Sequence, residues 1–158
     1  ADPEAREKMH NASTMAGMAF ANAFLGMSHS MAHKIGGVHH TVHGRTNAIL
    51  LPYVIRYNGT RPSKTTTWPK YNYWKADEKF QDIARMLGLP HSTPEEAVEA
   101  YAKAVYDLGV AVGIKMNFKD QGIDEKTWKD SLHEIALLAY EDQCSPANPR
   151  LPMVADME

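Results

Sequence analysis

The sequence predicts an all-α chain: five to seven helices forming one domain over residues 1–158. Three observations support this. Apolar residues recur at spacings of three and four over several long stretches, the period of a helix with one buried face. Helix-start signals precede those stretches, at Asp2-Pro3-Glu4, at Thr93-Pro94-Glu95-Glu96 and at Asp124. The one stretch that also favours sheet, around Val54, Ile55 and Tyr57, has no second strand in the chain to pair with.

The first element starts at Asp2, which caps, with Pro3 tolerated in the first turn and Glu4 at the positive helix end. Ala5, Ala12, Ala16, Ala19, Ala21 and Ala23 carry it towards Phe24. A helix apolar nearly all round is a buried one, so the expectation is a long central helix, broken near Gly26. His10 near its start reads as structural. Of nine methionines, Met9, Met15, Met18, Met27 and Met31 fall in this first region, where the default role is packing.

Residues 20–47 hold five of the eight histidines, His29, His33, His39, His40 and His43, and no Asp or Glu. His29 and His33 are four apart, which on a helix puts both imidazoles on one face, about 6 Å apart along the axis. The Gly36-Gly37 pair predicts a helix stop. His43-Gly44 then precedes a second apolar run from Asn47 to Tyr57, so His43 is expected at the start of that helix, pointing back across the turn at His29. Pro52 inside the run predicts a kink, and Asn58-Gly59 a closing turn. Two imidazoles from consecutive segments form a reasonable half of a divalent metal site, with any carboxylate ligand coming from elsewhere. The competing reading is a set of surface histidines satisfied by ordinary partners.

Residues 60–74 contain two prolines and no period, and predict a loop anchored by Trp68, Tyr71, Tyr73 and Trp74. Lys75 to Leu87 is an amphipathic helix with Phe80, Ile83, Ala84 and Leu87 on one face, ended by Gly88. Thr93 and Glu96 have the spacing of a capping box, and the helix they open runs to about Val112 with Val98, Tyr101, Ala102, Val105, Leu108 and Val112 inward. Asp124 caps the next helix, whose stripe is Trp128, Leu132, Ile135, Ala136 and Ala139; His133 lies on its surface. Gln143 to Pro152, with three prolines, predicts an extended connector before a short helix from Met153.

Composition narrows the function classes. A net charge of -2 and a pI near 6.5 give no electrostatic argument for nucleic acid or an acidic membrane surface. No apolar run approaches the roughly 20 residues of a membrane span. Cys144 is the single cysteine, so no intrachain disulfide forms and a reducing, cytoplasmic setting is expected. The charged start lacks the apolar segment of a signal peptide, and without an initiator methionine the sequence is expected to be a fragment or a processed chain.

The blocks GMAFANAFLGMSHSMAHKIGG and VHGRTNAILLP resemble the signature of the iron-containing (group III) alcohol dehydrogenases. AREKMHNASTMAGMAF and DQCSPANPRLP narrow the resemblance to the alcohol dehydrogenase half of the bifunctional aldehyde-alcohol dehydrogenases. The likeness covers nearly the whole chain, and the two histidine blocks are its specific part. It implies the C-terminal helical domain of such an enzyme. It further implies one Fe(II), or Zn(II), held by an aspartate and three histidines, two of which match His29 and His43. His33 matches the histidine beside the nicotinamide and substrate, the catalytic position, and Phe20 an aromatic lining the substrate pocket. The implied reaction is NAD-dependent interconversion of a short primary alcohol and its aldehyde, of the ethanol and acetaldehyde type. The family's other two ligands form an Asp-x-x-x-His pattern that this chain lacks, as it lacks a glycine-rich strand-to-helix turn for a dinucleotide. The resemblance therefore places the nucleotide-binding part and half of the metal site in an N-terminal portion missing from this chain, which alone is expected to be inactive. It also implies a homo-oligomer and, from the bifunctional relatives, filaments. The alternative from another class is a non-catalytic helical module for metal binding or self-assembly.

Overall fold

A computed structural model describes residues 2–62 and 74–158. Among the described residues there are seven α-helices and no strand, in agreement with the all-α reading: α1 (Pro3–Ala23), α2 (Met27–His39), α3 (His43–Gly59), α4 (Ala76–Met86), α5 (Pro94–Ala111), α6 (Glu125–Tyr140) and α7 (Val154–Met157). The expected anchors Trp68, Tyr71 and Tyr73, and most of the expected loop, lie outside the described residues. Trp74 is described, and its Nε1–H donates to the Asn58 carbonyl at 3.1 Å.

The helix starts follow the side chains that cap them. Asp2 accepts from the Glu4 N–H, Thr93 Oγ1 from the Glu96 N–H at 3.2 Å, and Asp124 from the Lys126 and Thr127 N–H groups at 3.0 Å each. Each bond satisfies a donor that a helix otherwise leaves open at its first turn. Gly88, at φ +68, follows the last turn of α4 in the left-handed conformation that glycine adopts without a steric penalty.

The core sits between α2, α3, α6 and α7. Met27, Met31 and Ile35 from α2 meet Val54 of α3, Ile135, Ala136 and Ala139 of α6, and Met157 of α7. A second cluster joins Ile55 of α3 to Val98 and Ala102 of α5, with Phe80 of α4 packed against it. α3 is thus common to both layers. It runs from His43 through a buried Pro52 to Gly59 as one helix, which excludes the strand alternative. Arg56 and Glu99 tie it to α5 through a two-pronged contact at 2.6 Å in each arm.

Four expectations change. α1 is not a buried central helix: it carries no buried residue, and Met9, Met15, Met18 and Phe20 are exposed. Its alanines give it helix propensity that does not depend on a partner. α2 does not stop at Gly36-Gly37 but continues to His39, where His40 supplies the left-handed cap at φ 55; glycine is tolerated inside a helix at a cost of about 1 kcal/mol. Leu108 and Val112 at the end of α5 are exposed, and so is Leu87 after α4; the buried line on α5 is Val98, Ala102 and Gly109, with Gly109 facing Met116. Gln143 to Pro152 is not extended throughout, since Ser145–Ala147 forms a 3-10 turn.

Candidate metal centre

Three of the five clustered histidines come together. His29 and His33 lie one turn apart on α2. The tight turn after His39, closed by the left-handed His40, brings His43 at the start of α3 back over them. Ring centroids are 5.3 Å apart for His29 and His43, 5.3 Å for His33 and His43, and 6.1 Å for His29 and His33. His33 and His43 are nearly parallel, at 15°. His39 is held elsewhere: its Nε2 is 3.0 Å from Ser131 Oγ and its ring stacks on Trp128.

The electrostatics favour a neutral His29 ring. Burial, and then repulsion from His43 and His33, push the His29 pKa below the ordinary histidine value. At His43, Asn47 Nδ2 lies 3.1 Å from Nε2, while Asn47 Oδ1 accepts from Ser28 Oγ at 2.9 Å. With the amide so oriented, Asn47 donates and His43 Nε2 accepts, so a metal at this nitrogen would displace the Asn47 contact.

The ring spacing is that of imidazoles sharing one divalent ion, for His29 and His43 and equally for His33 and His43. With metal–nitrogen bonds of about 2 Å and roughly tetrahedral angles, two imidazoles on one ion place their centroids roughly 5 Å apart, the separation seen for both pairs. Two ligands make half a site, and no carboxylate of the described residues converges on His29 and His43.

A different carboxylate lies on the other side of His33. Asp142, just past the end of α6, has Oδ2 at 3.4 Å from His33 Nδ1 and at 2.9 Å from Lys34 Nζ, while its Oδ1 accepts the Cys144 backbone N–H at 3.0 Å. His33, Asp142 and Cys144 offer ligand-type atoms within 4.8 Å of one another. Burial alone would raise the Asp142 pKa. The Cys144 N–H, Lys34, the Cys144 thiol and His33 outweigh it and hold the carboxyl at about 2. Burial and the neighbouring Asp142 push the Cys144 thiol up, so this buried cysteine is a protonated thiol and not a reactive thiolate.

Sequence reasoning missed Asp142. The signal available was its place two residues before Cys144, inside DQCSPANPRLP, with nothing to indicate a contact to a histidine 109 positions away. Phe20 is on α1 at 47% exposure, on a helix that buries no residue, and the described residues do not enclose a pocket around it.

The family model described as "Fe-containing alcohol dehydrogenase family, C-terminal" matches residues 1–158. An aldehyde-alcohol dehydrogenase of Streptococcus pneumoniae serotype 2 is 79% identical over 158 residues, covering 100% of this chain and 18% of that protein. A bifunctional aldehyde-alcohol dehydrogenase of Escherichia coli K12 is 38% identical over 160 residues, covering 99% of this chain and 18% of that protein. The crystal structure of a 1,3-propanediol oxidoreductase superposes with a TM-score of 0.80 at 34% identity, over 98% of this chain and 36% of that one. This chain therefore spans about a fifth of the bifunctional relatives.

Proposed function

The chain belongs to the Fe-containing alcohol dehydrogenase family, as its C-terminal domain, and we propose that it contributes the histidine side of the metal site in an NAD-dependent alcohol dehydrogenase. The substrate class is a short primary alcohol and its aldehyde. The observation that carries the reading is the His29–His43 separation of 5.3 Å with His33 stacked against the second of them.

His29 and His43 hold the ion, Fe(II) in the first instance and Zn(II) as the alternative, since imidazole suits both. When bound, such an ion acts as a Lewis acid that stabilises negative charge on the substrate oxygen. His33, adjacent but outside the ligand pair, takes the alcohol proton. Phe20 supplies an apolar wall for the alkyl group, with the rest of that wall built by the upstream part of the enzyme. That upstream part also supplies the nucleotide site and the remaining ligands. A homo-oligomer, extending into filaments, and a cytoplasmic setting complete the proposal. No described helix is long and apolar enough to cross a membrane.

The test is an anaerobic Fe(II) titration with elemental analysis, on this chain and on the enzyme extended upstream. Weak binding here and stoichiometric binding in the longer form is the expected result. Replacing both His29 and His43 with Ala in the longer enzyme is expected to remove the metal and alcohol oxidation, while sparing any aldehyde dehydrogenase activity. Unchanged metal content in that double variant would overturn the reading.

A further inference from the structure

The group formed by His33, Asp142 and Cys144 invites a second metal site, but its bonding argues otherwise. Asp142 Oδ2 is already neutralised by the Lys34 ammonium at 2.9 Å, and Oδ1 is taken by the Cys144 N–H. Burial and the nearby Asp142 keep the Cys144 thiol protonated. A carboxylate so furnished is an anchored hydrogen-bond acceptor, and its Oδ2 also faces His33 Nδ1 at 3.4 Å.

We propose that Asp142 is a positioning residue that fixes the tautomer and orientation of His33. The inference rests on the reading of His33 as the group that takes the substrate proton. An ionised carboxylate can only accept, so the contact at 3.4 Å requires His33 Nδ1 to carry the hydrogen. Nε2 is then the nitrogen with a lone pair. In the reaction the alcohol O–H bond breaks and an Nε2–H bond forms. The resulting imidazolium faces the Asp142 carboxylate through Nδ1–H, and the proton passes on to water from a side chain 37% exposed. The same logic operates wherever a buried carboxylate orients a catalytic imidazole.

The geometry also explains why the carboxylate comes from this place in the fold. Asp142 is 8% exposed and follows α6, the helix that packs on α2. Lys34, the neighbour of His33 in sequence, reaches the same oxygen. Two adjacent residues of α2 therefore grip one anchored oxygen, which limits rotation of the His33 ring at its exposed end.

The experiment is a double-mutant cycle in the full-length, metal-loaded enzyme with His33→Asn, Asp142→Asn and the pair. Asp142→Asn is expected to lower kcat about 10- to 100-fold, with KM and metal content unchanged and with a larger solvent deuterium isotope effect on kcat. In the His33→Asn background it is expected to cost nothing further. Should the Asn variant fail to fold, Asp142→Glu keeps the anion for Lys34 but moves the oxygen relative to Nδ1, and a fall in kcat at constant KM carries the same meaning. An equal loss from Asp142→Asn with and without His33, or no loss at all, would overturn the positioning role. If His33→Asn itself leaves kcat unchanged, the reading of His33 fails, and that outcome is distinct from the case in which His33 matters and Asp142 does not.

Discussion

Asn148 Oδ1 accepts the backbone N–H of Met27 at 3.2 Å across 121 positions of sequence. Its amide nitrogen donates to Asn58 Oδ1 at 2.7 Å and to the Arg150 carbonyl at 2.6 Å. One buried side chain thus caps the helix that carries His29 and His33 and ties it to the end of α3. A Cβ on Gly26 would lie 2.6 Å from that same Oδ1. Gly26→Ala is expected to destabilise the chain by about 1–3 kcal/mol, read as a lower midpoint in urea. Asn148→Ala, which orphans the Met27 and Asn58 groups, is expected to cost a similar amount. A Gly26→Ala variant as stable as the parent would show that Asn148 can move aside.

Two other glycines allow a contrast. A Cβ on Gly59 would meet Val98 Cγ2 at 2.5 Å and Cγ1 at 2.7 Å, both on a β-branched side chain held in the core. One on Gly109 would meet the thioether of Met116, the far end of a flexible chain. Gly59→Ala is expected to cost about 1–3 kcal/mol and Gly109→Ala under about 1 kcal/mol. The order of the two melting temperatures decides the point.

Acid should act through Asp142. Its carboxyl is held at about 2 in the folded chain, below the ordinary aspartate value. A group with a depressed folded pKa stabilises the fold fully above its unfolded value. That contribution fades as pH falls from about 4 towards about 2. It amounts to about 2 kcal/mol at neutral pH. Chemical denaturation of the parent and of Asp142→Asn at pH 6, 4 and 2 should therefore give a stability gap that closes at the acid end. A gap independent of pH would mean that the charge of Asp142 is not what stabilises its surroundings.

His40 occupies the left-handed region at φ 55, where a side chain costs energy that glycine does not incur. It is exposed and turns the chain from α2 into α3. His40→Gly is expected to stabilise the chain by about 0.5–1 kcal/mol, partly offset by the greater freedom of the unfolded chain. A small rise in melting temperature is the expected readout, and a fall would show that the imidazole makes compensating contacts.

The all-α fold was legible because its signals are local. Thr93 with Glu96, and Asp124 before its helix, are caps that act within four residues, and the stripe of Ile135, Ala136 and Ala139 is a matter of period. The meeting of His29 and His43 was legible for the same reason, since a helix turn and a short reversal suffice. Asp142 was not, because its approach to His33 depends on how α6 lies against α2. The cap at His40 was hidden by the nearby Gly36-Gly37 pair, which satisfies the same rule on paper. The exposure of α1 was misread because an apolar composition reports a preference for a covering surface without showing where that surface comes from.

The imidazole cluster draws on fifteen consecutive residues, His29 to His43, whereas its carboxylate lies roughly a hundred residues further on. At about 5–20 residues per second, ribosomal synthesis separates the two by roughly 5–20 s. The α2–α3 reversal thus emerges before α6 and its trailing Asp142 exist. The order of synthesis leaves the contact between Asp142 and His33 to form only after the α2–α3 reversal has left the ribosome.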